Sequence, residues 1–133
     1  MTDDEFTRAL DTVVRDLHAQ CPVQPDIRDP DDDYPGVILY APDGSGQGVY
    51  AYPDDQPGVR LAEIAGQVQE WAVEALWAEG KPAVWPHCPA HSNTHPLDAK
   101  VVKGEAVWAC PRGGTVVARI GALTPPEALG LRI

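Results

Sequence analysis

Trp85-Pro86-His87-Cys88-Pro89-Ala90-His91-Ser92-Asn93-Thr94-His95-Pro96-Leu97, answered by Trp108-Ala109-Cys110-Pro111-Arg112-Gly113-Gly114, is the stretch on which the reading of this 133-residue chain turns. Cys88 and His91 stand in C-x-x-H spacing, which suits a tight knuckle aiming two ligands at one ion. Cys110 stands at the end of a strand-like run and before Pro-Arg-Gly-Gly, the setting of a second knuckle. Thiolates and imidazoles in a tetrahedral set favour zinc, and four protein ligands make such a site closed and structural. The fourth ligand is His95 or His87. His87 adjoins Cys88, and neighbouring side chains diverge; His95 lies four residues past His91, a reach that works on a helical turn or across a short loop. The expected set is Cys88, His91, His95 and Cys110, holding one structural Zn2+.

A disulfide between Cys88 and Cys110 competes with this reading. Three cysteines and an acidic, signal-free start, Met-Thr-Asp-Asp-Glu, argue against it and lead us to expect a cytoplasmic location. Cys21, next to Pro22, reads as a small apolar filler. Trp85 and Trp108 flank the two knuckles and read as packing shields.

Downstream of the first knuckle, Ala99–Val102 and Glu105–Cys110 flank the short turn Lys103-Gly104, and Thr115–Ile120 supplies a third strand after Pro111–Gly114. A C-P-x-H knuckle, a hairpin and a C-P-x-G knuckle over residues 84–120 resemble a zinc ribbon. The resemblance implies a three-stranded β unit organised around a structural zinc. Gly113 stands three residues past Cys110, where a full ribbon carries a further ligand.

Upstream, Thr2-Asp3-Asp4-Glu5 reads as a capping box. Phe6, Leu10, Val13, Val14 and Leu17 then recur as one apolar helical stripe, and Cys21-Pro22 ends it. Residues 22–35 are rich in Pro and Asp and predict an acidic loop without regular structure. Val37–Tyr40 and Val49–Tyr52 predict a β-hairpin around the dense turn signal Ala41–Gly48. A long helix is expected from about Val59 to Glu79, burying Leu61, Ile64, Ala65, Val68, Trp71, Ala72, Ala75 and Leu76, with Gly80 and Pro82 as its stop. Val73 and Trp77 fall off that stripe, so another segment is expected to cover Trp77. Thr124-Pro125-Pro126-Glu127 predicts one short helical turn. The expected architecture is a single α+β domain: helix, hairpin, long helix (1–83), then the zinc-ribbon-like unit (84–120) docked on the Trp77 side. The two-sided apolar helix leaves monomer and dimer equally open.

The net charge of −10 is carried by residues 1–55, which hold 13 Asp/Glu against 3 Lys/Arg, whereas residues 56–133 hold 7 of each. An acidic half repels phosphate backbones and can steer a basic partner. No apolar run approaches the roughly 18 residues of a membrane span. Asp29-Pro30-Asp31-Asp32-Asp33 fails as a calcium loop, because Tyr34 and Tyr40 occupy the places of its Gly and Glu. Gly44–Gly48 lacks the Lys-Ser/Thr of a phosphate loop, and neither H-E-x-x-H nor G-x-S-x-G occurs. Arg outnumbers Lys 7 to 3, as in proteins from GC-rich bacterial genomes. These features lead us to expect a non-enzymatic interaction or adaptor protein that meets a basic protein partner. Two alternatives stay open. One is a nucleic-acid-binding ribbon using Lys100, Lys103, Arg112 and Arg119; the other is a small metal-dependent hydrolase with three ligands, a bound water and Asp98 or Glu105 as base.

Overall fold

The apolar stripe of the first helix, α1 (Asp3–Gln20), is buried along its length: Phe6, Leu10, Val13, Val14 and Leu17 are each at most 9% exposed. The computed structural model describes residues 3–30, 36–51, 56–89, 91 and 95–124. Thr2, the first half of the expected capping box, lies outside these residues, as does the expected helical turn from Pro125 onward. The Cys21 amide donates the last turn's bond to the Leu17 carbonyl at 2.8 Å, and the chain leaves the helix before Pro22. Cys21 is buried as a filler, and burial pushes its thiol above the ordinary value.

A three-stranded antiparallel sheet follows, in the order β1 (Asp26–Arg28), β2 (Val37–Tyr40), β3 (Gly46–Val49). The strand β1 corrects the expectation of an irregular loop over 22–35. All three of its residues are exposed, so it is made by backbone pairing with β2 and leaves no apolar alternation in the sequence. In β2, Val37 and Leu39 are buried while Ile38 and Tyr40 are half-buried, the alternation that marks a strand.

The hairpin itself is shifted from the expected one. The turn closes over Ala41–Ser45, and the glycine-rich segment after it is the strand, Gly46 pairing with Tyr40 and Val49 with Val37. Glycine at 46 makes room for its neighbours: a Cβ there would stand 2.8 Å from the Tyr40 ring and 2.9 Å from Ile38 Cγ2, and those side chains would have to shift. Beyond β3 the chain at Tyr50 is closed by a helix side chain. The Gln67 carboxamide accepts from the Tyr50 amide (3.0 Å) and donates to the Tyr50 carbonyl (2.7 Å), standing where a neighbouring strand would stand.

The second helix, α2 (Pro57–Ala78), starts with Pro57, whose missing amide hydrogen leaves nothing unsatisfied in a first turn. It buries Ile64, Ala65, Val68, Trp71, Ala72, Ala75 and Leu76, and Leu61 is half-buried. It ends in a Schellman motif: Lys81 N–H reaches the Leu76 carbonyl, Gly80 N–H reaches Trp77, and Gly80 takes φ +73°.

The second antiparallel sheet has the order β4 (Asp98–Val102), β5 (Glu105–Ala109), β6 (Val116–Arg119). Lys103 and Gly104 join β4 to β5 with φ of +52° and +84°, the two positive values that a tight primed turn demands. That turn touches the start of α2, where a Cβ on Gly58 would run into the Gly104 carbonyl. The sheet packs on α2 along the buried side of the helix, and Trp77 remains 75% exposed. The expected docking against Trp77 is therefore corrected. Ile64, Val68, Trp71 and Ala75 present a continuous apolar face to the core, and the isolated indole lies off it. Both sheets and both helices contribute to one cluster of buried apolar residues. No helix among the described residues is long and apolar enough to cross a membrane.

Candidate metal centre

Three of the expected ligands lie in the segment between Trp85 and Leu97, and its two ends are tied together. The Leu97 amide donates to the Pro86 carbonyl at 2.9 Å, and His87 and Pro96 form an isolated antiparallel bridge. From α2, Gln69 Nε2 donates to both the Trp85 carbonyl (3.1 Å) and the Leu97 carbonyl (2.5 Å). One carboxamide thus clamps the entry and exit of the ligand loop. The fourth ligand arrives by strand register. Asp98 pairs with Ala109, so Cys110, one residue on, stands beside the closed base of the loop.

Each cysteine opens a turn. The Cys88 carbonyl accepts from the His91 amide at 3.1 Å, and the Cys110 carbonyl accepts from the Gly114 amide at 2.7 Å. The Gly113 amide, then that of Arg112, the Cys88 thiol and the Arg112 charge, hold the Cys110 thiol below its ordinary value; burial works the other way. Backbone amides aimed at sulfur favour the thiolate, the form that binds metal. The glycine that costs the second knuckle a side-chain ligand therefore contributes through its backbone.

The structure brings Cys88, His91, His95 and Cys110 together, with one potential ligand atom from each lying within 4.8 Å of all the others. Both sulfurs are buried, both rings half-buried, and both cysteines are free thiols. His91 Nδ1 lies 3.5 Å from Cys88 Sγ and 3.6 Å from Cys110 Sγ, and His95 Nε2 lies 4.0 Å from Cys110 Sγ. A tetrahedral zinc with Zn–S of about 2.3 Å and Zn–N of about 2.0–2.1 Å needs S···N edges of about 3.6 Å. The first two separations match that edge and the third is slightly open. His95 Nδ1 donates to the Pro96 carbonyl at 3.0 Å, since a carbonyl can only accept. This fixes the tautomer that leaves Nε2 free to bind a metal, and such outer bonds orient ligating histidines in general. His87, the other candidate, sits in the bridge to Pro96 and is not a member of the cluster.

Trp85 and Trp108 meet edge to face, with centroids 5.4 Å apart and planes at 75°. At 1% and 0% exposure both rings are buried and present no surface on which a base could stack. Trp108 leads to a residue that the sequence reading does not single out. Its Nε1 donates to Asp16 Oδ2 at 2.7 Å; Gly121 N–H donates to the same oxygen at 2.6 Å, and Leu123 N–H donates to Oδ1 at 3.0 Å. Asp16 is fully buried on α1. Burial raises its carboxyl above the ordinary value, while the bonds from Trp108, Gly121 and Leu123 and the Arg15 charge pull it back in part. The only sequence signal is its place on the buried stripe, three residues after Val13 and one before Leu17.

Elsewhere, open clefts of about 520, 200 and 460 Å³ lie along β1 and its neighbouring turn, between β3 and α2, and over Gly66; none of these three is lined by Cys88, His91, His95 or Cys110. Comparison with family models, with curated proteins and with solved structures gave no match for this chain.

Proposed function

We propose that this chain is a non-enzymatic interaction protein whose C-terminal, zinc-ribbon-like unit is locked by one structural Zn2+ on Cys88, His91, His95 and Cys110, and whose acidic half meets a basic protein partner. The supporting observation is the convergence of two sulfurs and two ring nitrogens within 4.8 Å of one another, with two S···N separations at the edge length of a tetrahedral zinc site. Zinc bound there supplies charge neutralisation and a four-way cross-link; with every position taken by protein, no place remains for a reacting water. The charge of −10, concentrated before residue 56, supports a basic partner and disfavours a phosphate backbone.

Metal analysis of the purified protein tests the reading. One zinc per chain is expected, together with a melting temperature that falls when a strong chelator is added. A metal-free protein whose melting is indifferent to chelator would refute the zinc assignment.

A further inference from the structure

The side of α2 turned away from the core carries a continuous stripe. Glu63, Gly66, Gln67, Glu70, Glu74 and Trp77 recur at three- and four-residue spacing, opposite the buried set of the same helix. Glu63, Glu70 and Glu74 are exposed, and Trp77 is exposed to 75%. From Leu61 to Gly80 the chain has four Glu and neither Lys nor Arg. Gln67 ties the half-open Tyr50 ring (38% exposed) to this face through its two bonds to the Tyr50 backbone. Between Tyr50, Glu63 and Glu70 a cleft of about 460 Å³ opens over Gly66, where an added Cβ would meet nothing within 4 Å.

An indole left this open is unusual on a surface without a partner, because aromatic side chains bring the largest apolar area a residue can bury. Its neighbours select the chemistry of what covers it. Carboxylates one and two turns away repel an acidic or phosphate-bearing surface and attract cations. An arginine satisfies both features at once: its guanidinium is planar, lies flat on an indole, and forks onto a carboxylate, which a lysine ammonium does less well. The geometry points to this outward face of α2 as the docking surface of the protein, taking an arginine-bearing segment of a basic partner, with one guanidinium flat on Trp77 and forked onto Glu74 and further cationic heads at Glu70 and Glu63. The inference rests on the proposal that the partner is basic, and it adds a specific contact on the second helix to the long-range attraction of the acidic half.

The test uses the full chain and a synthetic helical peptide of alternating Arg and Ala runs, with a Lys-for-Arg peptide beside it, at low salt. Binding is read from the Trp77 indole signal in 15N spectra and from calorimetry. Trp77→Ala is expected to weaken binding of the Arg peptide by about tenfold, the scale of a hot-spot residue. Combined Glu63→Gln, Glu70→Gln and Glu74→Gln should weaken it at least as much and flatten its salt dependence. Combined Asp31→Asn, Asp32→Asn and Asp33→Asn should change it by less than about twofold, and the Lys peptide should bind more weakly than the Arg peptide. All the changed α2 side chains are exposed, so unchanged melting of each variant separates lost binding from lost folding. If the Asp31–Asp33 changes abolish binding and Trp77→Ala does not, the surface is wrong and the basic partner stands. If the wild type binds neither peptide, both fail. Concentration-dependent self-association that Trp77→Ala removes would identify a second copy of this chain as the occupant and overturn the proposal.

Discussion

The two three-stranded sheets are alike in topology and unlike in what holds them. The first hangs on alternation: Val37, Leu39 and Val49 turn into the core, and a one-residue slip would expose all three. The second has little of this. No residue of β4 or β6 is fully buried, and the buried residues of the sheet are concentrated in β5. What β5 carries into the interior is specific chemistry, the Trp108 indole on Asp16 and, just past its end, the Cys110 sulfur in the ligand cluster. A sheet held by area tolerates many apolar sequences. One held by a few directed contacts depends on each of them.

The largest way to break this contrast is through the ligand cluster. Structural zinc contributes about 10–16 kcal/mol in zinc-finger peptides, against about 5–15 kcal/mol for the whole stability of a domain. Cys110→Ser, or excess chelator, is therefore expected to unfold the second sheet first, seen as loss of amide protection in β4–β6 before β2 and β3, with a change in emission from Trp85 and Trp108. Simultaneous loss from both sheets would erase the distinction. Next comes Asp16→Ala, which strips three buried or half-buried N–H groups of their acceptor; at about 1–3 kcal/mol each, partly relieved by water, a loss of about 4 kcal/mol is expected in denaturant unfolding.

The same carboxyl carries a pH signature. Its pKa is raised in the folded state, so the native chain holds its proton more tightly than the unfolded chain does. Its contribution is complete below about pH 3.9, the ordinary Asp value, and is lost as pH rises through the raised value. Asp16→Asn should remove that slope from the stability profile. Leu39→Ala, in the first sheet, is expected to cost about 3 kcal/mol by leaving a cavity, with zinc content unchanged. The smallest effect on stability and the sharpest on the site is expected from Gln69→Leu. Releasing the two ends of the ligand loop should cost about 1–2 kcal/mol while lowering metal affinity about tenfold in competition with a chromophoric chelator.

What the sequence discloses divides along the same line. Both helices follow from apolar spacing, and the four clustered side chains from Cys and His spacing, because each pattern repeats or is rare. Asp26-Ile27-Arg28 shows no strand signal, since pairing with β2 is all that makes it one. Gly46-Gln47-Gly48 reads as turn because glycine means a tight bend far more often than room for a neighbouring tyrosine ring. Asp16 and Gln69 are polar residues on helices, and by type alone they belong to solvent. Only the placement of partners 92 and 28 residues away makes them interior fixtures. Trp77 is the converse, correctly placed off the buried stripe but left uncovered by the described residues.

The contact of Gly58 with Gly104 and the reach of Gln69 to Leu97 have a common consequence. From Gly58 to Gln69 is eleven helical steps, about 16 Å at 1.5 Å per residue. From the hairpin tip to the base of β4 is about five extended residues, about 17 Å. The helix is thus a gauge cut to the length of the ribbon beside it, fixed by glycine at one end and by an amide at the other. Adding a pair of residues to β4 and β5 would keep every strand bond yet carry the tip about 7 Å past its seat. The two elements are free to change sequence, but only together in span.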